Sequence, residues 1–274
     1  QGLIFYMNDD CKCIRVFAPA SVANVVCGFD VLGFAVNTPG DEVIMRLTDT
    51  PGVKIKAIHG DNGKLPLDAG RNTVGSVVIN YLQQIGAQEQ GVEIELFKKM
   101  PIGSGLGSSA ASNIAGLYAI NQLMGEKLTR YELLPLAIEG EGLACGQGHA
   151  DNVAPALLGG FVLIRSYAPL DIIKLHTPSG LVCSLIHPHI EIQTRDARLI
   201  LKKNVTLRDM TVQMGNLAGL ISGLYQEDMA LIGRSMQDVI IEPTRAILIP
   251  EFYMLKQIAM EKGALGFGIS GSGP

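Results

Sequence analysis

A glycine-rich run, PIGSGLGSSAAS at residues 101–112, constrains this chain more than any other stretch. Its three glycines allow the backbone to turn through positive φ values and to approach a ligand closely. Apolar residues follow at helical spacing over 110–124, so a helix is expected to begin at or just after Ser108. A glycine loop that opens onto a helix N-terminus favours an anion such as phosphate, because the first-turn N–H groups and the helix dipole both attract negative charge.

The loop differs from the two common nucleotide-binding fingerprints. It lacks the lysine that ends a Walker A loop, and its GxGxG spacing is not the GxGxxG of dinucleotide-binding domains. Ser108 and Ser109 are suited to bind phosphate oxygens or a magnesium ion. On spacing alone, the alternative is a capped helix whose serines bond the N–H groups of its own first turn.

The composition and net charge argue against nucleic acid and membranes as binding partners. The 274 residues, 47% of them hydrophobic, are enough for a packed core in one large domain or two modest ones. The formal net charge of −4 argues against nucleic acid, whose binding needs a dense basic surface. No apolar run approaches the ~18 residues of a membrane span, so no membrane partner is expected. The five scattered cysteines favour reduced thiols and a cytoplasmic location.

Periodicity predicts a mixture of strands and helices. Strands are expected at residues 13–18, 92–97, 161–165 and 181–187, and a hairpin at 41–47 and 53–58. Helices are expected at 74–85, with Asn72 or Thr73 as the cap, and at 129–141. A glycine-flanked turn is expected to carry Gln147, His149, Asp151 and Asn152 before a helical or strand-like run at 154–160. Prolines within 167–180 indicate a passage between domains.

Three motifs resemble those of the GHMP kinase superfamily. They are APASVAN with GFDVLG at residues 18–33, the glycine loop at 101–112, and GISGSGP at 268–274. Three further stretches are similar to the homoserine kinase branch, namely HADNVAPALLGG at 149–160, TRDAR at 194–198 and EPTR at 242–245. The resemblance covers nearly the whole chain, with the motifs in the expected order.

The resemblance implies an α+β, two-domain GHMP kinase fold. Residues 1–168 would form an N-terminal ribosomal-protein-like α/β domain with the ATP-binding loop, and 169–274 a C-terminal ferredoxin-like domain. The sequence stops at Pro274, before the threonine that usually follows the last motif in the family. The C-terminal domain is therefore expected to be truncated and incomplete at its end.

The implied activity is ATP-dependent phosphorylation of the hydroxyl of L-homoserine to O-phospho-L-homoserine in threonine biosynthesis, with Mg²⁺. Two alternatives stay open, another small-molecule kinase of the superfamily, such as a mevalonate kinase, and a nucleotide-binding regulator without catalysis. The oligomeric state is left open, with a homodimer as one alternative.

The ATP-binding residues implied are Asn72, Lys98, Pro101, Ile102, Gly103, Ser104, Gly105, Leu106, Gly107, Ser108 and Ser109. For Lys98, a solvated pair with Lys99 is the alternative.

A magnesium ligand is expected near the end of the helix at 129–141. The helix dipole disfavours a carboxylate there, so Glu139 or Glu141 needs a cationic partner, and a hard oxygen ligand suits Mg²⁺. By resemblance the metal ligands are Glu141 and Ser109.

The residues expected to bind the acceptor are Asn24, Asp30, His149, Asn152, Thr194, Arg198 and Arg245. Two arginines fit a free amino acid, because a guanidinium binds a carboxylate through a bidentate fork, and Asp30 would pair with the ammonium group. Asn152, Arg198 and Asp151 are the catalytic candidates, with base catalysis by Asp151 left open. The alternatives are Asx turns at Asn24 and Asp30 and surface ion pairs for the arginines.

Overall fold

The computed structural model describes residues 3–8, 13–145, 148–190 and 192–274, with backbone alone for 143–145. Within these residues, strands form one mixed sheet. The strands are β1 Ile4–Asn8, β2 Cys13–Ala23, β3 Leu32–Thr48, β4 Gly52–His59, β5 Gly91–Phe97, β6 Phe161–Tyr167 and β7 Leu170–Lys174. The sheet order is β1-β2-β3-β5-β4, and β6 pairs with the first residues of β3 and with β7.

Apart from two 3₁₀ segments, at Ala69–Arg71 and Ala246–Leu248, the rest of the regular structure of the described residues consists of α-helices. They are α1 Thr73–Gln84, α2 Ser108–Leu123, α3 Arg130–Cys145, α4 Ala150–Leu158, α5 Thr194–Leu199, α6 Leu207–Gln226, α7 Met229–Ser235, α8 Glu242–Arg245 and α9 Phe252–Glu261. The mixed α+β class expected from the sequence is confirmed. None of the helices in the described part of the chain combines the length and the apolar character that a membrane span needs.

The predicted hairpin at 41–47 and 53–58 is wrong, although both segments are strands. β5 lies between them, antiparallel to β3 and parallel to β4, so that Met45 faces Ile94 and Ile94 faces Ile55. The chain reaches β5 from β4 by a crossover through α1, as a parallel pair requires. Alternation identifies a strand with one buried face, but it does not identify the partner strand.

α2 lies at the centre of the main core. It contacts α1, α3 and α4 as well as β2 and β3, and it is buried on nearly every side. Ile114 and Leu117 on α2 share a fully buried cluster with Ile14, Met45 and Ile94 of the sheet. Because α2 is fixed on all sides, its N-terminus holds the glycine loop in a defined place.

Two other predictions about the chain path are wrong. Residues 181–187 pair with no strand of the described chain. Leu181 and Leu185 are partly buried against core clusters, but Val182 and Ile186 are 83% and 60% exposed. The predicted loose passage at 167–180 contains β7, which pairs with β6 across the turn at 168–169. The division into domains at that turn stays a prediction.

The predicted polar turn before residue 154 is also different. Helix α4 begins at Ala150, with His149 as its N-cap residue, so Asp151 and Asn152 lie in its first turn. Gly146 and Gln147 lie outside the described residues. The helix predicted at 129–141 is confirmed and extends to Cys145.

Candidate active site

The glycine loop has the backbone conformation that its glycines predicted. Gly103, Gly105 and Gly107 have φ values of 74°, 67° and 65°, in the left-handed region that favours glycine. A Cβ on Gly105 would lie 2.5 Å from the carbonyl oxygen of Ser270, so no larger residue fits there. α2 begins at Ser108, and its N-cap residue is Gly107, which has no side chain to bond the first-turn N–H groups. The predicted helix start is confirmed, and a serine N-cap is excluded.

The third motif, at 268–274, bridges the glycine loop to the predicted acceptor residues. The Ser270 hydroxyl donates to the Gly105 carbonyl oxygen over 2.7 Å. Next to it, the Gly271 carbonyl oxygen accepts from Asn24 Nδ2 and from Arg245 Nη1, each at 2.7 Å. One short turn therefore contacts both the anion loop and the predicted substrate site.

A cleft with about 510 Å³ of open space lies beside the glycine loop, and four predicted ATP-binding residues line it, Asn72, Lys98, Ile102 and Ser109. Asn72 forms part of its wall. The Asn72 side chain accepts from the N–H of Val74 at 3.1 Å and donates to the Pro66 carbonyl oxygen at 2.9 Å. The predicted helix cap at Asn72 is confirmed, and its polar atoms hold the cleft wall in place.

Lys98 is buried under the loop, so a solvated position for this lysine is wrong. Its ammonium pairs with Asp41 and also donates to the Ser108 carbonyl oxygen at 2.9 Å and to Ser112 Oγ at 2.7 Å. Burial lowers the pKa of Lys98. Lys99 is the exposed member of the pair and contacts Glu42.

The two metal candidates fit a magnesium ion in chemistry and burial. The Ser109 hydroxyl is buried and forms no hydrogen bond with any described residue. Glu141 is 5% exposed, whereas Glu139 is exposed. Within the described chain, no group of three or more His, Cys, Asp and Glu side chains forms a metal site. One hydroxyl and one carboxylate suit Mg²⁺, because this ion takes most of its ligands from water and phosphate.

Asp30 and Arg198 form the centre of the predicted acceptor site. Arg198 donates two parallel hydrogen bonds to the Asp30 carboxylate, at 2.7 and 3.1 Å. The backbone N–H of Asp30 donates to Asn24 Oδ1 at 3.1 Å, and Asp30 has a φ of 60°. This contact spans six residues, whereas an Asx turn bonds the N–H two residues on. The Asp30 carboxylate itself contacts an arginine 168 residues further along the chain.

Two aromatic residues of this site were missed by the sequence reasoning. The guanidinium carbons of Arg198 and Arg245 lie 5.5 and 5.2 Å from the centroid of the Phe29 ring, within cation–π range. The Tyr167 hydroxyl donates to the Asp30 carbonyl oxygen at 3.1 Å and accepts from the N–H of Ala150 at 3.2 Å. Phe29 lies in the GFD triplet of the first motif, so the sequence offered a reason to assign it to the site, whereas Tyr167 lies in no motif.

His149 is held as a neutral hydrogen-bond donor. Its Nδ1 lies 3.4 Å from Arg198 Nη2, and a guanidinium only donates, so Nδ1 accepts and the proton resides on Nε2. Burial and the charge of Arg198 lower the pKa of His149. The buried Nε2 forms no hydrogen bond with any residue that the structure describes. It can therefore donate to a ligand.

The remaining candidates lie between this cluster and the glycine loop. Asn152 Oδ1 accepts from the Ser21 hydroxyl at 2.8 Å, beside Gly107. Asp151 is 4% exposed, and burial together with the charge of Asp30 raises its pKa to about 7. The Thr194 hydroxyl bonds the Ser272 hydroxyl at 2.9 Å. The predicted ATP-binding residues and the predicted acceptor-binding residues thus both contact the third motif, at 268–274.

Comparison with known proteins agrees with this arrangement. Residues 72–160 match the GHMP kinases N terminal domain, and 220–274 match the GHMP kinases C terminal family. A homoserine kinase of Chlorobium phaeovibrioides is 52% identical over 96% of this chain and 85% of its own length. The chain belongs to the homoserine kinases of the GHMP family.

Solved structures of the family show the same fold. The crystal structure of homoserine kinase from Cytophaga hutchinsonii aligns with a TM-score of 0.95 at 60% identity, covering 98% of this chain and 85% of that one. A mevalonate kinase from L. major, in complex with R-mevalonate, aligns with a TM-score of 0.65 at 16% identity over 94% of this chain and 83% of that one. The second likeness concerns the fold alone.

Proposed function

We propose that this homoserine kinase family member transfers the γ-phosphoryl group of ATP to the side-chain hydroxyl of L-homoserine, giving O-phospho-L-homoserine for threonine biosynthesis. The observation that carries the proposal is the cluster of Asp30, Arg198 and Arg245, which the Gly271 turn joins to the anion loop. A free amino acid presents a carboxylate and an ammonium group together, and this cluster offers two guanidiniums and one carboxylate.

On the nucleotide side, the glycine loop and the N-terminus of α2 supply N–H groups and a dipole for the phosphates. Ser109 and Glu141 would hold Mg²⁺, which neutralises charge on the transferred phosphoryl group. The protein itself positions the phosphates, since phosphoryl transfer needs placement and charge stabilisation more than covalent chemistry.

On the acceptor side, Arg198 and Arg245 would bind the carboxylate of homoserine, and Asp30 would pair with its ammonium group. His149 can donate its Nε2 proton to the bound substrate, and Asn152, beside the loop, can orient the reacting hydroxyl. Asp151 has a pKa of about 7, which suits a group that accepts the hydroxyl proton near neutral pH.

Phosphoryl transfer measured in parallel with L-homoserine and mevalonate as acceptors tests the proposal. Turnover is expected with homoserine and not with mevalonate, which has no ammonium group for Asp30. ATP turnover without an acceptor is the control for hydrolysis. Equal or greater turnover of mevalonate would refute the substrate, and nucleotide binding without transfer to either acceptor would favour a non-catalytic regulator.

Replacing Asp151 with asparagine tests its role through pH. If Asp151 accepts the proton, kcat of the native chain falls as pH drops below about 7. In the D151N variant, kcat is expected to be roughly 100-fold lower or more, and this fall at acid pH is expected to be absent.

The raised pKa of Asp151 also affects the stability of the fold. The folded state binds more protons than the unfolded state between about pH 4 and 7, so its stability falls as pH rises through this window.

D151N removes this ionisation cost. The melting temperature of D151N minus that of the native chain should therefore increase toward pH 7 and be close to zero near pH 4. The exposed Asp49, in the turn after β3, provides the matched control, since D49N is expected to leave the pH–rate profile unchanged. A D151N variant that keeps the native acid limb would exclude Asp151 as the base.

A location in the cytoplasm is part of the same proposal and rests on the scattered cysteines. The homodimer is a prediction about assembly that sedimentation of the purified chain would resolve.

A further inference from the structure

We propose that Asp41 is the positioning residue of the nucleotide site and that it fixes the glycine loop by bonding both of its ends. Asp41 lies on β3, outside every motif of the sequence, and it is fully buried. The inference rests on the proposed nucleotide binding, but it is independent of which acceptor the enzyme phosphorylates.

One oxygen of the Asp41 carboxylate holds the residues that lead into the loop. Oδ1 accepts from the backbone N–H of Lys99 at 2.9 Å and from that of Met100 at 3.3 Å. These are the last two residues before Pro101, where the loop begins. The entry of the loop is thus bonded to β3 through two main-chain hydrogen bonds.

The other oxygen holds the residues that follow the loop. Oδ2 accepts from the hydroxyls of Ser108 and Ser112, each at 2.9 Å, in the first two turns of α2. It also pairs with the Lys98 ammonium. A single carboxylate therefore joins the start of the loop to its end, and the loop between them has little freedom to shift.

The charges in this cluster are balanced inside the protein. Lys98 donates to Asp41, to the Ser108 carbonyl oxygen and to Ser112 Oγ, which uses all three of its protons. Its side chain is 3% exposed and that of Asp41 0%. Lys98 is therefore a second positioning residue. It bonds residues that flank the loop and has no proton left for a hydrogen bond to phosphate.

The same contacts keep the anion site open. Gly107 at the N-cap offers no side-chain acceptor, and the Ser108 hydroxyl at the first helical residue donates to Asp41 instead. The first-turn N–H groups therefore stay available for an anion. Loss of the Asp41 charge would release both ends of the loop and so displace these N–H groups.

The test is the affinity of D41N for ADP and for L-homoserine, measured separately by calorimetry. D41N is expected to weaken ADP binding roughly 10- to 100-fold, the size expected when charge-assisted hydrogen bonds that preorganise a site are lost. Its homoserine affinity should stay within about twofold, because Asp41 contacts none of the acceptor residues. The difference between the two affinities separates a positioning role from a general loss of structure, which would weaken both.

The matched control is E42Q, the next residue on the same strand. Glu42 pairs with Arg15 and Lys99, whose side chains are about half exposed, and it bonds neither Ser108 nor Ser112. E42Q should bind ADP as the native chain does. Equal losses in D41N and E42Q would overturn the proposal, as would native ADP affinity in a folded D41N.

Breaking a buried ion pair can prevent folding, so S112A is the second variant. It removes one hydroxyl bond to Asp41 and leaves both charges in place. S112A is expected to weaken ADP binding about threefold or more with homoserine affinity unchanged, and native ADP affinity in S112A would overturn the proposal if D41N does not fold. Absence of ADP binding to the native chain would instead refute the proposed nucleotide function.

Discussion

Replacing Arg245 with leucine is expected to raise the KM for homoserine on the order of 100-fold while the KM for ATP stays nearly unchanged. Truncating one partner of a buried, hydrogen-bonded charge pair costs roughly 2–5 kcal/mol, and each 1.4 kcal/mol is about a factor of ten. Arg245 is 2% exposed, and its Nε forms no hydrogen bond with a described residue, so it has a donor left for a carboxylate. Steady-state kinetics with each substrate varied in turn measures the effect.

Two further variants separate the causes of such a loss. R245K keeps a positive charge without the bidentate fork, so an intermediate rise in the homoserine KM is expected. R234L removes an exposed arginine in the last turn of α7, and its kinetics should match those of the native chain. A homoserine KM unaltered in R245L would remove Arg245 from the acceptor site, and a parallel rise in both KM values would indicate damage to the fold.

The glycine loop was predictable because its chemistry is local. Glycine permits the positive φ values of the loop, and the start of α2 follows from the spacing of apolar residues just after it. The role of Arg198 as a partner in the acceptor site could be anticipated only through the family resemblance, because the spacing of Thr194 and Arg198 indicates a shared helix face and nothing about its partner.

Strand partners could not be predicted in the same way. β3 and β4 are consecutive in the sequence, yet β5 lies between them after a crossover through α1. Residues 181–187 show the opposite error, since apolar alternation is present and no neighbouring strand of the described chain buries it. In both cases the local pattern is compatible with a strand, while the packing that decides its place comes from distant residues.

Asp41 and Tyr167, which the sequence did not indicate, lie in no motif and contact groups far away in the sequence. Asp41 bonds Ser108 and Ser112, which follow it by 67 and 71 residues, and Tyr167 contacts a backbone oxygen 137 residues earlier. A polar residue in an alternating strand usually faces solvent. Nothing in its immediate neighbours shows that Asp41 is buried against the end of a helix.

Replacing Gly107 with alanine is expected to lower kcat/KM for ATP on the order of 100-fold or more. At φ 65°, a Cβ would lie 2.2 Å from Ser21 Oγ and 2.7 Å from Asn152 Oδ1. Those two atoms are hydrogen-bonded to each other at 2.8 Å, so neither can move away without breaking that bond. The variant therefore displaces the loop, Asn152 or both, and a misplacement of about 1 Å at a reacting centre can cost 100-fold.

The control for backbone strain is G86A, at the residue that follows the C-cap of α1. Gly86 has a φ of 71°, and a Cβ there would meet no atom within 4 Å. Both variants bear the left-handed φ, which costs roughly 1–2 kcal/mol, so both should melt a few degrees lower. Only G107A also has a steric conflict in the site, and only G107A should lose activity. Comparable losses of kcat/KM in the two variants would mean that strain, and not the contact of Gly107 with Ser21 and Asn152, limits this position.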